Sequence, residues 1–240
     1  MSGADFQTEQ EIFWTGDFGD RYIDRNLGAD RNIHNIGLFC DILRHTDRIE
    51  SVIEFGANIG LNLRAIKSIL PGAQFHGIEI NRKAFEILKE WGGGKAYHQS
   101  LLDFEPRIKF DFAFTKGVLI HINPEQLPRV YETLYNSSKK YICLVEYYNP
   151  RPVEVPYRSY RNKLFKRDFA GDMLDKYHDL NLLSYGFVYH RDKHFPQDDL
   201  TWFLLKKNNH IDMPEIGTLE RVVSERQLDL SKTTLKRDVN

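Results

Sequence analysis

The segment Glu54-Phe55-Gly56-Ala57-Asn58-Ile59-Gly60 follows a short apolar run and precedes a helix-periodic one. A glycine has no Cβ, so the backbone there can approach a ligand closely. In an open α/β sheet such a strand-to-helix bend lies at the carboxyl ends of the strands, where ligands bind. Dinucleotide binding asks for G-x-G-x-x-G, but counted from Gly56 the second glycine is Asn58 and the third is Leu61. A phosphate-cradling P-loop is excluded because no Gly-Lys-Ser/Thr follows. Asn58 is a mild departure, since asparagine is the non-glycine residue best suited to a left-handed backbone. Glu79 closes the next apolar run, where a carboxylate can accept both hydroxyls of a ribose diol. The bland alternatives are a surface strand-end acid at Glu54 and a plain tight turn at Gly56 and Gly60.

These residues need a scaffold of alternating strands and helices. Residues 31–47 place Ile33, Ile36, Leu38, Phe39, Ile42 and Leu43 at helical spacing, with Asp30 as N-cap. SVIEF then predicts a strand, residues 59–70 a helix stopped by Pro71-Gly72, and AQFHGIEI a second strand. Residues 81–91 predict a helix capped by Asn81 and ended by Gly92, followed by a short strand at AYHQS and a loop at LLDFEPRIK. FDFAFTKGVLI reads as a strand running into a turn, and Pro124 opens a helix over 124–136. KYICLVEYY is a continuous apolar run of the kind buried on both sheet faces. Alternation of this kind implies a parallel sheet with right-handed crossovers. NPRPVEVPYRSYRNK, with three prolines, reads as a long loop, and residues 166–178 suggest a helix that Gly171 weakens. LNLLSYGFVYH and LTWFLLKK then read as a closing pair of strands.

Composition narrows the classes. The chain has 240 residues, with 33 Lys and Arg against 34 Asp and Glu, a net charge of −1. No global positive field is available to hold nucleic acid, although a local patch could. No apolar run approaches the ~18 residues of a membrane span, and MSGADFQTEQ lacks the basic and apolar regions of a secretory signal. Cys40 and Cys143 read as reduced core thiols, and no metal-ligand framework is expected. The expected address is the cytoplasm.

An acidic residue before a G-x-G-x-G-like turn at Glu54, Glu79 after the second strand, Asp103 after the third and a closing strand pair resemble the class I S-adenosylmethionine-dependent methyltransferases over about residues 30–207. The resemblance implies an α/β Rossmann-like fold, a seven-stranded mostly parallel sheet with an antiparallel terminal strand pair. It implies S-adenosylmethionine as cofactor, with Glu54, Gly56, Asn58 and Gly60 forming its loop, Glu79 on the ribose and Asp103 at the adenine amino group. Further stretches are Phe13-Trp14, Phe18-Gly19-Asp20 with Tyr22, Arg25-Asn26, Thr115-Lys116-Gly117 through His121 to Pro124, Glu146 to Pro150, and Phe165 to Phe169. These are similar to the methyltransferases associated with pseudaminic acid biosynthesis in bacterial surface-glycan clusters. That similarity implies a small anionic acceptor: a sugar, a nonulosonic acid or a nucleotide-sugar. The implied organisation is a lid segment over residues 1–29, a methyltransferase domain over 30–208, and a polar extension over 209–240, partly helical or disordered.

Within this frame Trp14, with Phe18 and Tyr22, closes over the cofactor or simply staples the N-terminus to the core. Arg25 pairs with the methionine carboxylate of the cofactor. Lys116 and His121 follow the fourth strand, beside the expected methyl group. His121 is a candidate base or a helix-start hydrogen-bonding residue, and Lys116 orients an anionic acceptor or is a solvated lysine. Glu146 is the second candidate base. Tyr147, Tyr148 and Asn149 line the acceptor pocket, unless the two tyrosines only pack. Arg158 and Arg161, in a basic run from Arg151 to Arg167 interleaved with Tyr157 and Tyr160, clamp an acidic sugar, contact RNA phosphate or sit solvated. The small acceptor is favoured over nucleic acid because the run is short and the chain neutral. His190 and His194 read as surface residues. A monomer and a homodimer both remain open. The competing functions are a nicotinamide-dependent sugar dehydrogenase and a non-enzymatic scaffold.

Overall fold

A computed structural model describes residues 8–26 and 32–208, apart from the side chains of Arg25 and Asn26. The expected cap Asp30, the side chain of Arg25 and the extension over 209–240 lie outside the described residues. Two short helices, α1 (Glu9–Thr15) and α2 (Asp17–Asn26), precede α3 (Asn32–Leu43). There follow β1 (Ser51–Phe55), α4 (Leu61–Ile69), β2 (Gln74–Glu79), α5 (Arg82–Trp91), β3 (Lys95–His98) and β4 (Phe110–Lys116). The rest comprises α6 (Leu127–Ser137), β5 (Ser138–Glu146), β6 (Val153–Glu154), β7 (Phe165–Lys166), α7 (Phe169–Lys176), β8 (Leu180–Val188) and β9 (Leu200–Lys207).

One sheet runs β3-β2-β1-β4-β5-β9-β8. Its first five strands are parallel, and β9 is antiparallel to both β5 and β8. The alternation of strand side chains sorts the core into two layers. Phe112 and Phe114 of β4 and Tyr141, Cys143 and Val145 of β5 join Leu38, Phe39, Leu63, Ile66 and Leu88 from α3, α4 and α5. Ala113 of β4 and Ile142 and Leu144 of β5 face the other way, against Leu127, Val130 and Leu134 of α6 and Met173 of α7. Burial on both faces explains the near-continuous apolar runs of β4 and β5.

Local chemistry sets the helix ends. Asn81 caps α5 by accepting from the Ala84 N–H at 3.0 Å, and Gly92 ends that helix at φ +66°. Gly171, which weakens the sequence expectation for α7, leaves room for its cap. A Cβ there would lie 2.6 Å from the Asp168 carboxylate, which accepts from the Gly171 N–H. The helix expected over 124–136 divides into a 3₁₀ turn at Pro124–Gln126 and α6.

Two expectations change. The segment read as a long loop after residue 148 is a small arm in which β6 pairs antiparallel with β7. At its tip Tyr157 and Tyr160 exchange backbone hydrogen bonds at 2.9 Å around Arg158 and Ser159, both left-handed at φ 48° and 73°. That is the signature of a type I′ hairpin turn, made here without glycine. Cys40, expected in the core, is exposed on α3, whereas Cys143 is buried. Among the described residues no helix is long and apolar enough to cross a membrane.

Candidate functional site

A cavity of roughly 520 Å³ opens beyond the carboxyl ends of β1, β2 and β4. Its floor is the turn after β1. Gly56, Asn58 and Gly60 are all left-handed, with φ of 73°, 48° and 81°. The conformation that the asparagine was expected to tolerate is the one it adopts. The Gly56 and Ala57 N–H groups both donate to the Ile78 carbonyl at 2.9 Å, which binds the turn to the end of β2. A Cβ on Gly56 would meet Val118 at 2.5 Å, so glycine lets the turn pass beneath the segment after β4.

Glu79 ends β2 in the cavity wall and is 6% exposed. Its two carboxylate oxygens accept from the Asn58 and Asn81 N–H groups, each at 2.7 Å. Each oxygen keeps acceptor capacity for a further donor. Burial pushes this carboxyl up to about 7, against the pull of those backbone N–H groups. Glu54 is fully buried behind the wall rather than in it. It accepts from the Asn62 amide at 2.6 Å, and burial raises it to about 8. Asn62 does line the cavity.

The segment after β4 forms another side. Lys116 lines the cavity and donates to the Asn35 side chain at 2.9 Å. Glu146 does not line it. Its carboxylate accepts from the backbone N–H groups of Val118 and Leu119 at 3.1 Å and of Ile120 at 3.5 Å. Burial raises it to about 7. The sequence expectation of a second base thus meets a residue whose oxygens hold the turn that carries His121.

His121 is buried and lines the cavity. Its Nδ1 lies 2.5 Å from the Lys163 carbonyl, which only accepts, so Nδ1 carries the proton and Nε2 the lone pair. Burial depresses its pKa to about 4, so the ring is neutral at physiological pH. Its ring lies between Trp14 at 4.7 Å and Tyr157 at 4.8 Å.

The N-terminal helices cover the opening. Thr8 and Glu11 form a capping box on α1, and the Ser100 hydroxyl donates to Glu11 at 2.5 Å. The Asn81 amide donates to the Trp14 carbonyl at 3.0 Å and to Asp20 at 2.9 Å. Gly19 is needed at this crossing, since a Cβ there would lie 1.9 Å from the Trp14 carbonyl oxygen. Thr8, Gln10, Glu11, Trp14, Gly19 and Tyr22 all line the cavity.

Gly56, Asn58, Glu79, Lys116, His121 and Trp14 therefore come together at one cavity, as does the lining stretch 99–102 after β3. Several expected residues stand apart from it. Asp103 is exposed and outside the lining. Gly60 is buried at the start of α4, beneath the lining residues Ile59 and Leu61. Tyr147 is half-buried near Asp198 and Tyr157, Tyr148 packs on Phe203, and Asn149 donates to the Arg151 carbonyl. Arg158 and Arg161 are exposed on the arm, with the Arg158 guanidinium 6.0 Å from the Tyr157 ring. None of these lines the cavity.

Other lining residues were missed. His34 and Asn35 come from α3, and His190, Pro196, Gln197 and Asp198 from the β8–β9 connection. Gln197 donates to the His34 carbonyl at 2.9 Å and His190 pairs with Asp199 at 2.9 Å. The closing antiparallel pair was the available signal, because its connection must return over the carboxyl ends of β4 and β5. His194, read with His190 as a surface residue, remains exposed outside the lining.

No protein-family model and no curated protein matches the sequence. Solved structures do match. The plantazolicin methyltransferase BpumL, in complex with SAH, is 15% identical at a TM-score of 0.59, over 83% of this chain and 94% of that one. The magnesium protoporphyrin IX methyltransferase ChlM from Synechocystis PCC 6803, with bound SAM, is 13% identical at a TM-score of 0.56, over 87% and 100%. The 1,6-didemethyltoxoflavin-N1-methyltransferase of Burkholderia thailandensis, with bound 1,6-didemethyltoxoflavin and S-adenosylhomocysteine, is 13% identical at a TM-score of 0.62, over 87% and 94%. At these identities the shared feature is the backbone, and the chain has the Rossmann-like fold of the class I S-adenosylmethionine-dependent methyltransferases.

Proposed function

We propose that the chain is an S-adenosylmethionine-dependent methyltransferase acting on a small sugar-type acceptor. The observation that carries this reading is the left-handed turn Gly56–Gly60 closed against a buried Glu79 carboxylate in the cavity wall. A floor lined by Gly56, Ala57 and Asn58 and ending at an acid with acceptor capacity to spare fits a nucleoside diol, and the cavity volume is in the usual range for small ligands. Glu79 accepts the ribose hydroxyls, and residues 99–102 flank the base. Arg25 remains the proposed partner of the methionine carboxylate. When bound, S-adenosylmethionine supplies an electrophilic methyl group, and its transfer depends more on orientation than on acid–base assistance.

α1 and α2 exclude water from the cavity through Trp14 and Tyr22. His121 presents the Nε2 lone pair and takes the proton of an acceptor hydroxyl. Asn35, Lys116, Gln197 and Asp198 supply both donors and acceptors, the mixture a polyhydroxylated acceptor requires. Lys116 is the only lysine or arginine among the described lining residues, so an acidic group on the acceptor meets Lys116 and not Arg158 or Arg161. The sequence similarity supports an acceptor drawn from bacterial surface-glycan biosynthesis.

A thermal-shift panel of S-adenosylmethionine, S-adenosylhomocysteine and NAD tests the cofactor. A ligand at one hundred times its dissociation constant adds about 2.7 kcal/mol. Stabilisation by NAD alone, or by none of the three, would overturn the reading. Mass spectrometry of glycans and sugar nucleotides from cells with and without the gene tests the acceptor, which should lose a methyl group.

A further inference from the structure

Lys163 lies on the arm between β6 and β7 and is almost wholly buried, its side chain only 6% exposed. It touches two things at once. Its backbone carbonyl accepts from His121 Nδ1. Its ammonium is paired with Glu9 of α1, which is 66% exposed, and sits 5.3 Å from the Phe13 ring. The neighbouring Asn162 carbonyl accepts from the Gln10 amide at 2.9 Å, and Phe13 packs edge-on against Tyr160 at 5.1 Å. The arm is thus fastened to α1 through Lys163, Asn162 and Tyr160, while α1 is fastened to the cavity rim through Glu11 and Ser100.

We propose that Lys163 is a positioning residue that couples the seating of α1 over the cavity to the ring orientation and tautomer of His121. The proposal rests on the reading of His121 as the group that faces the acceptor. The physical reason is economy of anchoring. A buried ammonium must keep its partner, because an unpaired buried charge is strongly unfavourable. Glu9 supplies that partner only when α1 lies against the arm. With α1 seated, the Lys163 carbonyl stands at Nδ1, and Nε2 is held as the acceptor. With α1 lifted, Lys163 turns out to solvent and takes its carbonyl away from the ring. His121 then relaxes towards the tautomer of an isolated imidazole, with the proton on Nε2, where it cannot receive one from a hydroxyl.

The test uses the full chain with nitrogen-15-labelled histidine. In the parent, His121 should give the Nδ1–H pattern at neutral pH. Lys163→Met keeps the apolar stem and deletes the charge, and Glu9→Gln deletes the partner at an exposed position, leaving the Lys163 ammonium to turn out to solvent. Both should shift the His121 signal towards the Nε2–H pattern and weaken S-adenosylhomocysteine binding on the order of tenfold, in the usual range of coupling between sites. Lys163→Arg restores the pair and should return both readouts. If the His121 signal stays at the parent pattern in Lys163→Met and Glu9→Gln, the coupling is wrong. If the tautomer shifts on substitution but S-adenosylhomocysteine fails to bind even the parent, the cofactor reading falls and the tie between Lys163 and His121 stands.

Discussion

A carboxyl that is half protonated near neutrality is a poor double acceptor until it ionises. Glu79 is in that position, held up to about 7 by burial. Gripping a diol through two accepted hydrogen bonds requires the ionised form, so below about pH 7 binding must be accompanied by release of the Glu79 proton. S-adenosylhomocysteine affinity should therefore be flat above about pH 8 and fall below pH 7, approaching tenfold per unit. Glu79→Gln should remove this dependence and lower the affinity at pH 8 by about 1.5–3 kcal/mol, the worth of hydrogen bonds to a charged group. Calorimetric titration across pH 6 to 9 reads both effects. An affinity that ignores pH in the parent, or is unchanged in the variant, removes Glu79 from the ribose. Glu146 shows the opposite use of the same side chain, since its oxygens are taken by the N–H groups of Val118, Leu119 and Ile120. Residue type and position at a strand end were readable for both, and only the packing around each separates ligand from brace.

At the scale of elements, Asn81 joins the lid to the sheet. Its carbonyl caps α5, while its amide holds Trp14 and Asp20. Asn81→Asp keeps the cap and loses the lid bonds, placing a second carboxylate near Asp20. Asn81→Ala loses both and should cost about 1 kcal/mol for the cap alone. The expected result is that Asn81→Asp melts close to the parent yet is cut faster by protease within α1 and α2 and binds S-adenosylhomocysteine more weakly. Equal protease resistance in parent and Asn81→Asp would mean that the lid is held by its aromatic contacts alone. The cap role of Asn81 was legible, because a cap is a local matter of one side chain and the next turn. Its second role was not, because Trp14 and Asp20 reach it only through the tertiary fold. The same distinction covers the arm, where Arg158 and Ser159 make a type I′ turn without the Asn-Gly pattern that announces one, so the segment read as a loop. His34 and Asn35 were hidden for the same reason, on a helix whose periodicity revealed a core face and nothing of the cavity beside it.

At the scale of the whole molecule, the sheet order reverses direction between β1 and β4, and the chain leaves these strands to opposite faces, towards α4 and towards α6. The crevice that opens at such a switch point is where the cavity lies; the alternation of apolar runs told of a parallel sheet, and the strand order that places the crevice came only with the fold. Around it are buried acids whose titration is a property of the whole fold. Glu54, Glu79 and Glu146 are raised from 4.5 to about 8, 7 and 7, so the fold keeps protons that the unfolded chain has lost. Their contribution to stability is full below about pH 4.5 and is lost progressively as pH rises from there to 7 to 8. His121 and His76, both lowered by burial, oppose this below about pH 6.5, and Lys207, lowered to about 8, opposes it at and above that value. The melting temperature of the unliganded protein should therefore rise as pH falls from about 8 to 6.5, and saturating S-adenosylhomocysteine should flatten or reverse the trend, because it needs Glu79 ionised. A melting temperature that falls over this interval without ligand would show that the three acids are not protonated in the fold.

The same scale sets how much chain the function needs. Every described residue lining the cavity lies between Thr8 and Leu200, and the last strand of the sheet ends at Lys207. Asn208 closes that strand by donating from its backbone to the Asp179 carbonyl at 2.8 Å. A chain stopped after Asn208 keeps the described strand pairings, both core layers and every described residue of the site's wall. It should melt within a few degrees of the full chain and bind S-adenosylhomocysteine with the same affinity, measured side by side by calorimetry. A loss of affinity on truncation would mean that residues 209–240 contribute to the site, and the cavity as drawn from the sheet would then be incomplete.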